Sequence, residues 1–375
     1  MTKVRLLKNG TEAFPAMFDA VGRAGACIVL EMYIYADDGT GRTFRDRLVD
    51  AARRGVLVMV LVDAVGSWGR PDAFWDELKR AGGMVRRFRP VSRGMFLFRN
   101  HRKLLLVDDR TAFIGGLNIA DEYFRGRAGE LPWRDNVVEL SGGEVRQLRR
   151  SFDRMWTHAE QPFLKAAFSS RRALKERPRS AGGTRFLESG PEDLRQPVRK
   201  EYRRLIGRAG RGIDLAMGYF YPHGRILRAL KQAVQRGVRV RLLVPQNSDV
   251  AVAQWASRGL YGRLLRAGME VWEYRPTMLH SKLAIIDDML IAGSANLDIR
   301  SGRINYELVA VVNDGAIAGR ARKDFDEDLL QADRITLREW RARPLFQKFK
   351  EWVSYWLLAR LDIFMARAER ARMMR

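Results

Sequence analysis

One cysteine, Cys27, is all the chain contains, so no intramolecular disulfide staples it and nothing marks an oxidising compartment. Set in the apolar run Ala26–Leu30, that thiol reads as a small core residue. Long apolar runs are missing too. No uncharged stretch approaches the roughly 18 residues that cross a bilayer, and the opening Met1-Thr2-Lys3-Val4-Arg5-Leu6-Leu7-Lys8 lacks the apolar core of a signal peptide. A membrane, if the chain uses one, is met from its surface. Acidic charge is in deficit: 68 Lys and Arg stand against 44 Asp and Glu, a net charge of +24. That excess points to an anionic partner, nucleic acid or anionic lipid. Histidine is scarce, at four. What is present, 46% hydrophobic and 30% charged residues over 375 positions, is the mix of a globular enzyme with length enough for two ordinary cores.

Two of the four histidines stand in one repeated motif. His101-Arg102-Lys103-Leu104-Leu105-Leu106-Val107-Asp108 returns as His280-Ser281-Lys282-Leu283-Ala284-Ile285-Ile286-Asp287. A second Asp follows each copy, and then Gly115-Gly116-Leu117-Asn118 or Gly293-Ser294-Ala295-Asn296. The repeat extends further. Val21–Gly25 matches Ile206–Gly210, and Ile28–Tyr35 matches Ile213–Tyr221 across one extra residue, with Tyr33 and Tyr35 answering Tyr219 and Tyr221. Arg54-Gly55-Val56 matches Arg236-Gly237-Val238, and Phe88-Arg89-Pro90 matches Tyr274-Arg275-Pro276. This is duplication of a whole domain. Within the first half, the pattern predicts a strand at Cys27–Tyr35, a helix at Arg42–Arg54, a strand at Val56–Asp63, a helix at Pro71–Ala81 and a strand at Met84–Phe88. The motif follows as a strand, Lys103–Val107, turning at Asp108–Arg110 into Thr111–Ile114. Such alternation is the signature of an α/β unit.

Some segments break the symmetry. The approach from Pro90 to His101 is longer than that from Pro276 to His280, and it carries Met95-Phe96-Leu97-Phe98 between Arg93 and Arg99. Those four side chains either tuck into the core or belong to a loop that dips into lipid or lines an acyl tunnel. Residues 163–184, rich in Lys, Arg, Ser and Gly, read as a linker between domains at 1–162 and 185–333. A tail, 334–375, has no counterpart in the first half. Leu345, Phe349, Trp352, Val353, Trp356 and Leu357 recur there at helical spacing beside Lys348, Lys350 and Arg360. Such a helix either docks on its own domain or lies on anionic lipid with Trp352 and Trp356 in contact.

On a strand, residues two apart share a face, so His101 points with Lys103 and His280 with Lys282, while Arg102 and Ser281 point away. Two imidazoles and two ammoniums converging on one pocket suit a phosphodiester. The lysines, with Asn118, Ser294 and Asn296, are candidates to bind its non-bridging oxygens. One neutral imidazole can attack phosphorus, and the other can give its proton to the departing alkoxide. Each ring needs an acceptor on its far nitrogen, and Asp135 and Glu307, at matching positions after the two motifs, are the candidates. Parity sends Asp108 to the opposite face from His101, which makes it a turn former. The Asp108-Asp109 and Asp287-Asp288 pairs diverge on a strand, with no His or Cys beside them, so neither a metal nor another cofactor is expected. His158 and His223 stand alone and read as surface or core residues.

Paired His-x-Lys motifs with a following Asp, each trailed by a small-residue Asn turn, resemble the phospholipase D superfamily and, within it, bacterial cardiolipin synthases of the B-type. The resemblance spans nearly the whole chain, including Leu30-Glu31, Tyr33-Ile34, Pro132-Trp133-Arg134-Asp135, Ala216–Pro222 and Glu273–Pro276. It implies an α/β fold of two phospholipase D-like α/β/α domains related by pseudo-twofold symmetry, with an amphipathic helical tail. It places Asp108 and Asp287 in the catalytic set with His101, Lys103, His280 and Lys282. It implies a phosphohistidine intermediate, His101 as nucleophile by analogy, and peripheral attachment to the cytoplasmic face of the bacterial inner membrane. The reaction implied moves a phosphatidyl group from one phosphatidylglycerol to another and releases glycerol. Hydrolysis to phosphatidic acid uses the same chemistry, and a nucleic-acid phosphodiesterase fits the charge but not the apolar loop and tail. One departure is a residue fewer between Asp288 and Gly293 than between Asp109 and Gly115, which bears on the placing of Ser294 and Asn296.

Overall fold

A computed structural model of the protein describes residues 2–69, 71–89, 98–127, 129–160, 183–191, 193, 195–222 and 224–358. Met95, Phe96, Leu97, His223, nearly all of the linker read at 163–184, and the tail from 359 on lie outside the described residues.

Each half builds one mixed sheet. The first comprises β1 (Lys3–Lys8), β2 (Cys27–Met32), β3 (Leu57–Asp63), β4 (Met84–Phe88), β5 (Leu104–Val107), β6 (Thr111–Gly115) and β7 (Asn136–Ser141), in the order β1-β7-β6-β5-β2-β3-β4. The second comprises β8 (Thr184–Ser189), β9 (Gly212–Met217), β10 (Arg239–Pro245), β11 (Glu270–Tyr274), β12 (Lys282–Ile286), β13 (Met289–Gly293), β14 (Glu307–Asn313) and β15 (Ala332–Ile335), in the order β15-β11-β10-β9-β12-β13-β14-β8. Apart from β15, the second order repeats the first. In both, three strands run parallel (β2-β3-β4 and β9-β10-β11), the first two of each set almost entirely buried and the third only in part, joined by helices that cover the sheet. The motif strands β5 and β12 pair antiparallel to β2 and β9. They therefore begin at the carboxyl ends of the parallel strands, where open α/β sheets place ligands.

The sheets meet face to face. Leu61, Leu106 and Leu140 of the first share one core with Leu243, Leu283 and Leu308 of the second, together with Phe152 and Phe325 from the helices Arg146–His158 and Gly315–Leu329. The outer faces are closed by the helices Asn9–Gly22 and Gly39–Arg53 on one side and Pro197–Arg208, Gly224–Gln235 and Ala251–Arg266 on the other.

The predicted strand Cys27–Tyr35 is shorter than its apolar pattern suggested. β2 stops at Met32, and the chain then bends so that Asn118 Oδ1 accepts the Ile34 N–H (3.1 Å) and Tyr35 bridges to Ile119. The missing residue before Gly293 is absorbed entirely in the turn. Gly293 still faces Val309 as Gly115 faces Val137, so Ser294 takes the place of Gly116.

The tail docks in an unexpected sense. A helix over 345–358 crosses Ala251–Arg266 with Glu351 and Ser354 buried, and a Cβ on Gly259 would lie 2.8 Å from the Glu351 carbonyl oxygen, so only glycine allows that approach. Its apolar side faces out: Leu345 is 81% exposed, Phe349 62% and Trp352 56%.

Candidate active site

His101 and Lys103 lie in the extended approach to β5, and His280 and Lys282 at the start of β12; all four are buried. Each approach pairs with the other half of the chain. The His101 N–H donates to the Tyr306 carbonyl (3.0 Å) and Tyr306 N–H to Arg99 (2.9 Å). The His280 N–H donates to Arg134 (2.8 Å) and Arg134 N–H to Met278 (2.9 Å). Tyr306 and Arg134 are each followed by an acid, and this backbone exchange delivers it across the interface. His101 Nδ1 lies 3.1 Å from Glu307 Oε1, and His280 Nδ1 lies 2.7 Å from Asp135 Oδ2. With Nδ1 engaged by a carboxylate, Nε2 is the ring nitrogen left for chemistry, and that of His280 lies 3.1 Å from Lys282 Nζ.

Burial and like charge shape the titration. Desolvation, followed by Lys103, presses the His101 pKa below its ordinary value against the opposing pull of Glu307. Desolvation and then Lys282 press His280 well below. Burial also lowers Lys282, and takes Lys103 down to about 7. Asp135 moves the other way, to about 6, because burial outweighs the attraction of Lys282. Four dehydrated groups that prefer to shed positive charge form a pocket primed for an anion.

The side chains that alternate away are occupied elsewhere. Arg102 donates to Ser151 (2.6 Å) and pairs with Glu31 and Glu188, while Ser281 donates to Asn136 (2.7 Å).

Several candidates take other positions. Asp108 is not in the pocket. It stands at the far end of β5, with a left-handed backbone, and its carboxylate accepts the N–H groups of Gly25, Ala26 and Cys27 at 2.8–3.0 Å. Asp287 does the same for Gly210, Arg211 and Gly212. Against a desolvation that raises them, these donors hold both carboxyls below the ordinary value. Seven residues of extended chain, roughly 20 Å, separate each Asp from its His, so both tie the sheet rather than touch a substrate. Asn118 spends one amide end on Ile34 and the other on the Tyr123 hydroxyl (2.7 Å), which turns it from a phosphate ligand into a fastener of the pocket wall. The Ser294 hydroxyl donates to Glu307 and accepts from the Leu308 N–H (3.0 Å), so it braces the acceptor of His101. In the first half no side chain fits there, because a Cβ on Gly116 would lie 2.3 Å from Asp135 Oδ1. Asn296 is buried beside Tyr202 in a small cavity, its Oδ1 lacking a hydrogen-bond partner among the described residues. Phe98, a lipid-contact candidate in the sequence, is instead fully buried against the Arg89 guanidinium, next to Arg99, which pairs with Asp63. Trp352 and Trp356 are exposed on the tail helix.

Aromatic walls and one acid escaped the motif reading. Tyr33 packs edge-on at 4.9 Å from His101, and Tyr123, Trp133 and Tyr219 surround His280 at 5.3, 5.7 and 6.3 Å. The extra residue of the second half is Gly218, over which the His280 backbone passes closely. Tyr219 donates its hydroxyl to Asp249 (2.6 Å) in the loop after β10, a carboxylate that opposes the depression of His280. Tyr33 and Tyr219 were visible as a repeated pair; Asp249 has no counterpart in the first half and no local signal.

Comparison with known proteins agrees with this geometry. The family model "Cardiolipin synthase, PLD-like domain" matches residues 17–156 and 202–329. The chain is 33% identical over 357 residues to the major cardiolipin synthase ClsA of Bacillus subtilis (strain 168), covering 94% of this chain and 74% of that one. It is 36% identical over 360 residues to a cardiolipin synthase of Geobacillus thermodenitrificans (strain NG80-2), covering 94% and 71%. The crystal structure of phosphatidylserine synthase from Haemophilus influenzae Rd KW20 shares the fold, with a TM-score of 0.74 over 97% of this chain and 94% of that one at 14% identity.

Proposed function

Because the chain belongs to the phospholipase D-like cardiolipin synthase family, we propose that it transfers a phosphatidyl group from one phosphatidylglycerol to the glycerol of another, releasing free glycerol. The observation that carries the reading is the pair of crossed contacts, His101 with Glu307 and His280 with Asp135, flanked by Lys103 and Lys282.

In the proposed first step, neutral His101 attacks phosphorus through Nε2. The P–N bond forms, the P–O bond to the leaving glycerol breaks, and His280 gives that oxygen its proton. In the second, a hydroxyl of the acceptor phosphatidylglycerol gives its proton back to His280 and attacks phosphorus, breaking the P–N bond. Lys103 and Lys282 neutralise the charge that gathers on the non-bridging oxygens. His280 and Asp135 share one proton between two depressed affinities for charge, and an incoming anionic diester favours placing it on the imidazole.

The same reading makes the protein a peripheral membrane enzyme. Among the described residues no helix is long and apolar enough to cross a membrane. The outward face of helix 345–358 supports insertion into the interface of an anionic bilayer.

Product analysis tests the proposal. Purified protein is incubated with phosphatidylglycerol vesicles in chelator and the lipids are resolved by mass. Cardiolipin with free glycerol is the expected result. Phosphatidic acid as the main product would make the enzyme a hydrolase, and no lipid turnover would send the search to nucleic acids.

A further inference from the structure

Away from the histidines, a cavity of about 260 Å³ lies between the helix Ala251–Arg266 and the tail. Two tryptophans wall it, Trp255 and Trp340, and three cations line it: Arg258, Arg343 and Lys350. Two of the cations are anchored. Arg343 holds buried Glu351 through two hydrogen bonds, 2.6 and 3.0 Å, with its guanidinium 3.1 Å from the Trp340 ring centroid. Arg258 holds Glu273 at 2.9 and 3.0 Å and donates to the Gln246 carbonyl (3.2 Å). Lys350 is different. Its Nζ rests 3.4 Å from the centroid of Trp255, and among the described residues no carboxylate lies within ion-pair distance of it. The cluster therefore keeps one uncompensated positive charge, pre-oriented by a ring instead of spent on an acid.

The setting narrows the ligand. Gln246, to which Arg258 donates, opens the loop that carries Asp249 to the His280 side of the active site. The cavity and the active site thus lie along the same edge of the second sheet. Beside the cavity run the outward side chains Phe346, Phe349 and Trp352, with Gln347 at its rim. With Arg258 balanced by Glu273 and Arg343 by Glu351, itself a lining residue, the one cation left among the described residues, over an indole, suits a phosphate oxyanion. Tryptophan walls next to an apolar strip suit a phosphate attached to a lipid, since indoles favour the headgroup level of a bilayer.

We infer that this cavity binds the phosphate of an anionic phospholipid, as a lipid site separate from the active site that orients the catalytic edge toward the bilayer. The inference rests on the peripheral-membrane reading above and adds to it a defined site.

The test uses the full chain carrying His101→Ala, so that no turnover alters the lipid, and measures co-sedimentation with phosphatidylcholine vesicles with or without phosphatidylglycerol. Lys350→Gln should weaken binding to the phosphatidylglycerol vesicles by about fivefold and leave binding to pure phosphatidylcholine unchanged. Lys348→Gln removes the same charge from the same helix outside the cavity, and should have a markedly smaller effect. Equal losses in the two variants, or no loss with Lys350→Gln, would overturn the site. Inorganic phosphate at constant ionic strength separates the sources: displacement of the protein with intact Lys350 but not of Lys350→Gln means the cavity takes the phosphate group alone, and no displacement means it takes the phosphate only as part of a lipid. Because binding is read without turnover, loss of this site and failure of the transferase reading give different results.

Discussion

His101 takes its carboxylate from the opposite half of the chain: its Nδ1 meets Glu307, 206 positions away, at 3.1 Å. Asp135 returns the contact to His280 across 145 positions. Glu307→Gln keeps the shape but removes the charge that fixes the tautomer and supports the imidazolium. It should lower kcat by about a hundredfold or more without loss of secondary structure. Steady-state rates alongside circular dichroism check this, and an unimpaired variant would leave the crossed pair a packing feature.

The pH profile follows from the same burial. The His101 pKa is depressed below 6.5, so the nucleophile is neutral at pH 7 and activity falls only when acid protonates it, below that value. Lys103, at about 7 in the free pocket, loses its charge as pH rises. The alkaline limb of kcat/KM should therefore begin with loss of the proton shared by His280 and Asp135 and be completed near neutrality by Lys103. In kcat it should move to higher pH, because a bound phosphodiester favours the ammonium. Coincident alkaline limbs in the two profiles would show that Lys103 does not face the phosphate.

Asp108→Ala should cost stability rather than chemistry. Three backbone N–H groups lose their acceptor, and a loss of about 2 kcal/mol is expected. Denaturant unfolding measures this, and the folded protein should retain most of its kcat. A large fall in kcat at unchanged stability would return the residue to the catalytic set.

Asp249 stands beside His280 through Tyr219, where a polyol headgroup must deliver its hydroxyl in the proposed second step. Asp249→Asn should lower the ratio of cardiolipin to phosphatidic acid by about tenfold, since water needs no such hydrogen bond. An unchanged product ratio would exclude it from acceptor recognition.

Replacing Phe349 and Trp352 together by serine should weaken vesicle binding strongly while preserving the fold, because both side chains are already exposed in the free protein. A drop in melting temperature instead would mean that they pack against protein.

Much of this was legible because strand parity is a local rule. It paired His101 with Lys103, sent Arg102 away, and separated Asp108 from the chemistry; the family resemblance then drew Asp108 back toward the pocket, and the three N–H groups at Gly25–Cys27 show why parity was the better guide. Asp135 and Glu307 could be picked out by their matching positions, but not the histidine each would serve, since that depends on how the two sheets face each other. Asn118 and Ser294 looked like phosphate ligands because a short sequence does not reveal which polar groups the backbone will claim first. Phe98 and the tail were ambiguous for a plainer reason. An apolar side chain next to arginines fits a core or a lipid surface equally well, and only the packing separates buried Phe98 from exposed Trp352.

The reciprocal delivery of Glu307 and Asp135 has a further consequence. Neither half, expressed alone, holds a histidine with its acceptor, so the competent unit is a pair of halves in cis. Two identical copies of one half, meeting about a true twofold axis, would restore both contacts by symmetry. Fusing the copies into one chain keeps that geometry and releases each half from sequence identity with the other. Gly218, Asp249 and the tail helix, all confined to the second half, are the differences such a release permits, and they make one side of a once-equivalent pocket distinct from the other.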